Sequence, residues 1–154
     1  MMQEQHMLMD ERLVALNTVL GHCRELAELY GGDRMAVDAQ SKALFDDCAR
    51  AHDRFADELA TEIRRQGDLP AEEDPERLGV ERLVADVKSF FSPRREASLA
   101  ETFAEIESRL DQALGAARAQ VDAPMDQLLA QHQAAVRRHL DALKQIGDEQ
   151  GAND

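Results

Sequence analysis

Residues 44–63 read Leu44-Phe-Asp-Asp-Cys48-Ala-Arg-Ala51-His-Asp-Arg-Phe55-Ala-Asp-Glu-Leu59-Ala-Thr-Glu-Ile63. Leu44, Cys48, Ala51, Phe55, Leu59 and Ile63 recur at steps of three and four, the spacing that lines one face of an α-helix. Lys, Arg and Asp fill much of the other side. A strand would alternate every second residue, and that period occurs nowhere in the chain. The helix is predicted over residues 35–66. Arg64 and Arg65 suit the negative end of its dipole, and Gly67 can adopt the conformation that closes a helix.

The same spacing extends in both directions. Leu13, Leu16, Leu20, Cys23, Ala27 and Tyr30 predict a first helix over 9–30, stopped by Gly31-Gly32, with Asp33 placed to cap the next. Residues 67–74 read as a loop. Asp74-Pro75 then starts a shorter helix over 75–91, with Val80, Leu83, Val84, Val87, Phe90 and Phe91 on its apolar face. Ser92-Pro93 breaks the chain, and the next helix starts there or at the capping pair Ser98 and Glu101. It runs to about residue 120 on Leu99, Phe103, Ile106, Leu110, Ala113 and Ala117. A last helix over 124–146 carries Met125, Leu129, Val136, Leu140 and Leu143, and Gly147 is expected to end it. Residues 1–8 read as a mobile tail, 148–154 as a disordered one, and 9–147 as a single domain. Short turns make the first two and the last two long helices antiparallel hairpins. The intervening 30 or so residues can return the chain along the bundle, which is the ferritin-like, all-α arrangement with a short crossover helix.

Composition agrees. The 154 residues include no Trp, only 8 Gly and 4 Pro, and carry a formal charge of −13. Leu, Val, Ile and Phe make up about 22% of the chain, enough for a lean core. The acidic balance opposes nucleic-acid binding, since phosphates would be repelled. No apolar run reaches membrane-spanning length. Residues 1–10 lack the basic start and apolar stretch of a signal peptide, so a cytoplasmic location is expected.

His52-Asp-Arg-Phe-Ala-Asp-Glu-Leu59 through Arg64-Arg-Gln-Gly-Asp-Leu-Pro70 resembles the end of the second helix in a family of small bacterial ferritin-like proteins of unknown function. There a helix reading roughly R-x-x-F-x-x-E-L precedes a Gly-Gly-x-Pro turn. The break at Ser92-Pro93 is similar too, as is the last helix over Leu129 to Leu143 with Gln131, Val136 and Leu143. The resemblance implies a four-helix bundle whose larger relatives hold two metal ions for oxygen chemistry or iron storage. That chemistry uses Glu-x-x-His on two helices, because positions three apart share a helix face. The residues three before the five histidines are Gln3, Val19, Ala49, Leu129 and Val136. None is an acid, so the dinuclear motif is absent.

The candidate metal ligands are therefore His52, Glu58, Glu62, His132 and His139. His132 and His139 fall inside the last helix's apolar stripe, two turns apart, so they cannot share one metal and each would separately serve a metal or haem. His52 lies at the margin of its stripe. Glu62 falls in the middle of that stripe and Glu58 near its edge. Glu107 reads as marginal, Glu25 as nearly opposite the first seam, and His22 as solvated. Cys23 and Cys48 sit on seams about six residues out of register. That is too far for a disulfide, so they read as small buried hydrophobes. The leading expectation is a non-enzymatic, self-associating or partner-binding bundle, stress-associated, that has lost a dinuclear site. The alternative is a metal or haem binder with degenerate ligands, iron being the expected metal. A third is a granule-coating, lipid-surface protein, which the acidic charge disfavours.

Overall fold

A computed structural model describes residues 10–31, 38–72 and 95–152, apart from the side chains of 95, 96 and 150–152. The expected helix over 75–91, the break at Ser92-Pro93 and the N-terminal tail lie outside these residues. Four helices are described: α1 (Glu11–Tyr30), α2 (Ala39–Arg65), α3 (Arg95–Arg118) and α4 (Ala123–Ala152). There is no strand among the described residues.

Local chemistry accounts for most of the ends. The Asp10 carboxylate accepts from the Arg12 and Leu13 amides and caps α1. Asp38 accepts from the Ser41 amide at 2.7 Å, so α2 starts at Ala39, four residues later than expected. Gly67, at φ +89°, closes α2. The Gly67 amide donates to the Arg64 carbonyl and the Asp68 amide to the Ile63 carbonyl, which satisfies the last turn. Of the two expected starts of α3 the later one falls, and the expected end of α4 is corrected. Arg95 already lies in α3, so Ser98 is inside the helix and its carbonyl accepts from the Thr102 hydroxyl. α4 runs through Gly147 to Ala152. A glycine within a helix costs only about 1 kcal/mol relative to alanine, and Gly147 lacks the left-handed conformation of a stop.

The helix directions follow from contacts at the two ends of the bundle. Arg12 near the start of α1 reaches Gln66 and Asp68 beyond the end of α2, both at 2.6 Å. Arg118 at the end of α3 meets Asp126 at the start of α4 at 2.7 Å. A cavity of about 530 Å³ is lined by Arg12, Gln66, Val121 and Met125, so these four ends lie together. At the other end Tyr30, the last residue of α1, packs against Phe103 near the start of α3 and Phe45 near the start of α2. The helices therefore run up, down, down, up. The chain leaves α2 at one end and enters α3 at the other. It sets out along α1: the Ala71 amide donates to Asn17 at 2.8 Å, and Arg24 donates to the Ala71 carbonyl.

The core runs the length of the bundle. Tyr30, Phe45 and Phe103 close one end, with Phe45 and Phe103 edge to face at 5.1 Å. Leu16, Leu20, Leu59, Ile63, Leu110, Leu114, Met125 and Leu129 fill the other. The seam of α2 keeps Cys48, Phe55, Leu59 and Ile63 from the expected set and differs at two positions. Phe45 and His52 face inward, while Leu44 and Ala51 are half-buried. α1 is covered over more of its circumference than one stripe, and Val19, Leu26 and Leu29 are all buried. His22 and Glu25 are buried as well, against the expectation that they face solvent. A single-stripe reading places them outside because it allows a helix only one packed side.

Candidate metal centre

Between the aromatic end and the aliphatic end lies a layer of polar side chains. Its middle is His52 on α2 and Glu107 on α3, both fully buried. The Glu107 carboxylate has only acceptors, so its three neighbours donate to it. They are His52 Nε2 at 2.8 and 3.0 Å, His139 Nδ1 at 2.9 Å and the Tyr30 hydroxyl at 2.8 Å. On the other side of the His52 ring, Nδ1 stands 3.0 Å from His132 Nε2. With both rings neutral, His132 donates and His52 accepts. The rings of His132 and His139 each lie 5.0 Å from that of His52. Phe55 stacks on His132 at 3.9 Å.

The two cysteines complete the layer. Both are free thiols. Cys23, His52 and His132 have ligand atoms within 4.8 Å of one another, and so do Cys48, Glu107 and His139. Helix direction stacks the two triads along the bundle. Cys48 lies one turn before His52 and His139 two turns after His132, both toward the aromatic end. Cys23 lies two turns before Tyr30, away from it. The His52–Glu107 hydrogen bond joins the triads.

Burial sets the protonation of this layer. It would raise the Glu107 carboxyl, but hydrogen bonds from His139 and His52, with their charge, hold it down at about 2. Burial pushes His132 down to about 3, helped by repulsion from His52 and His139. Burial also lifts the Cys48 thiol to about 12, and the Glu107 charge adds to it. The same two causes hold the Cys23 thiol well above its ordinary range. The layer thus has an ionised carboxylate, a neutral His132 and two protonated thiols.

Of the five residues expected as ligands, the structure brings His52, His132 and His139 together and leaves out two. Glu58 is exposed. Glu62 turns to the surface, where both its oxygens accept from Arg65 at 2.8 and 3.0 Å. A flexible acid at the end of a helix reaches water at little cost, whatever its angle on the wheel. His52 is central, not marginal. Glu107, Cys23, Cys48 and Tyr30 were not among the expected ligands. Glu107 had a legible signal: it stands four residues after Phe103 and three before Leu110, both core residues.

No family model, curated protein or solved structure matches this chain.

Proposed function

We propose that the protein binds one divalent transition-metal ion through Cys23 Sγ, His52 Nδ1 and His132 Nε2. The observation that carries this is the convergence of these three side chains from α1, α2 and α4 in a buried layer with an ionised carboxylate behind one of them. His52 turns Nδ1 toward the other ligands and donates Nε2–H to Glu107. This is how metal-bound histidines are usually oriented: a carboxylate fixes the tautomer and makes the ring a better donor. His139 and Tyr30 hold that carboxylate in turn. Charge supports a single ion. A divalent cation, the Cys23 thiolate and the Glu107 carboxylate sum to zero inside a core that tolerates little net charge. One thiolate with two imidazoles suits zinc, copper or iron and does not suit magnesium or calcium.

The ferritin-like layout belongs to this reading. Two hairpins and a lengthwise return of the chain between them support it, although the ligands differ from the Glu-x-x-His pattern. Self-association and a cytoplasmic location stay part of the proposal. A second reading is a non-enzymatic partner-binding bundle in which the polar layer specifies packing. The closed hydrogen bonding of His52, Glu107, His139 and Tyr30 favours it.

Equilibrium dialysis against Zn(II) or Co(II), followed by elemental analysis, separates the two. The metal reading expects one retained ion per chain, lost in both Cys23→Ser and His52→Ala. With Co(II) it also expects a thiolate charge-transfer band that Cys23→Ser abolishes. A folded protein that retains no ion leaves the packing role.

A further inference from the structure

The proposed ligands sit deep in the bundle, and an ion needs a way in. We propose that it enters and leaves through the hollow between α2 and α4, with the Phe55 ring as its gate. This rests on the metal reading above.

Four observations converge on this place. α2 and α4 make the sparsest contact of the neighbouring helix pairs. A hollow of about 170 Å³ opens there, with Phe55 and His132 in its lining and Arg54, Glu58 and Leu128 around them. Two hollows elsewhere, of about 260 and 530 Å³, are lined by other described residues and touch none of the three ligands. Of the three ligands, Cys23 and His52 are fully buried and His132 keeps 6% exposure, so His132 is the ligand nearest solvent. Phe55 lies nearly flat on His132, the ring planes 21° apart.

The chemistry of the hollow fits its use. Glu58 stands exposed at the rim and offers a carboxylate to an arriving cation, in a chain whose overall charge already attracts one. The ion exchanges water for the His132 imidazole first, as the ring proton shifts from Nε2 to Nδ1 by way of solvent. His52 and Cys23 then follow, and the thiol gives its proton to solvent along the same path. Movement of Phe55 off the His132 face is the step that sets the rate in both directions.

The test is stopped-flow exchange on the full chain. Zn(II) is loaded into the apo-protein, and its release to excess chromophoric chelator is followed. Phe55→Ala is expected to speed loading and release about tenfold, with one ion still bound at equilibrium. Phe55→Leu, which keeps an apolar core residue and removes the stacked ring, moves both rates the same way. Glu58→Gln slows loading and leaves release unchanged. Leu16→Ala, a core truncation on α1 away from the hollow, changes neither rate. Equal acceleration by Leu16→Ala would mean that general loosening admits the ion, and the gate is overturned. Unchanged rates in both Phe55 variants overturn it as well. A wild-type protein that retains no ion defeats the metal reading itself, a result distinct from one bound ion that exchanges by another route.

Discussion

Glu62 and Glu107 begin as similar residues, each an acid set among the apolar positions of an amphipathic helix. Glu62 lies near the end of α2 and meets Arg65 on its own helix, in water. Glu107 lies in the middle of α3, fully enclosed, and takes hydrogen bonds from three side chains on three other helices. The first pair forms from one turn of helix and can be exchanged for water. The second exists only when all four helices are in place, and each donor it loses leaves a charge in a low-dielectric interior. Position along the helix, more than angle around it, separates a solvated acid from the centre of a site.

The largest expected effect tests that difference directly. Glu107→Ala should lower stability by about 3–5 kcal/mol, the usual result of removing one member of a buried ionic network. Chemical denaturation measures it. A loss below about 1 kcal/mol would put Glu107 with the surface acids.

Acid should separate the two regions next. An unfolded chain takes up a proton at His132 near its ordinary 6.5, which the folded chain refuses down to about 3. Protons therefore favour unfolding across that window. Glu107 acts with the same sign. Its unfolded carboxyl protonates near 4.5 and its folded one near 2, so the stability it contributes above 4.5 is lost as pH falls toward 2. Urea midpoints should fall steadily below about pH 6.5, and His132→Gln should flatten the upper part of that fall. A wild-type midpoint that stays level from pH 7 to 4.5 would contradict a buried neutral His132.

Tyr30→Phe keeps the ring against Phe103 and removes one donor to Glu107. The expected cost is about 1.5–3 kcal/mol, the worth of a hydrogen bond to a charged group. Metal affinity should rise with pH, because the Cys23 thiol is protonated when the site is empty and binding expels that proton. The slope expected for one proton is tenfold in affinity per pH unit, about 1.4 kcal/mol, read by Zn(II) competition between pH 6 and 8. A pH-independent affinity would remove the thiolate from the ligand set. The smallest effect belongs to the surface acid: Glu62→Gln should leave both the unfolding midpoint and the metal content unchanged.

Several features were open to reading along the chain because their causes are local. Helix periodicity and the stop at Gly67 depend on residues within about one turn of each other. Seams built on large residues, such as Leu99, Phe103, Ile106 and Leu110, were legible for the same reason. The α2 seam was less so. Alanine recurs along that helix, and where small residues stand at the edges of a stripe its centre can turn by part of a step while Phe55, Leu59 and Ile63 stay buried. That shift took Ala51 to the edge and His52 to the centre.

The sequence by itself determined that the described residues are helical, where their helices lie to within a few residues apart from the end of α4, and that Glu-x-x-His is absent. Tertiary structure alone decided which polar residues meet. His52 and His132 are 80 positions apart, Tyr30 and Glu107 are 77 apart, and His52 and Glu107 are 55 apart. Contacts at such separations depend on the rotation of each helix about its own axis and on which ends lie side by side. Those are set by the packing of all four apolar faces at once, and no single stripe carries that information.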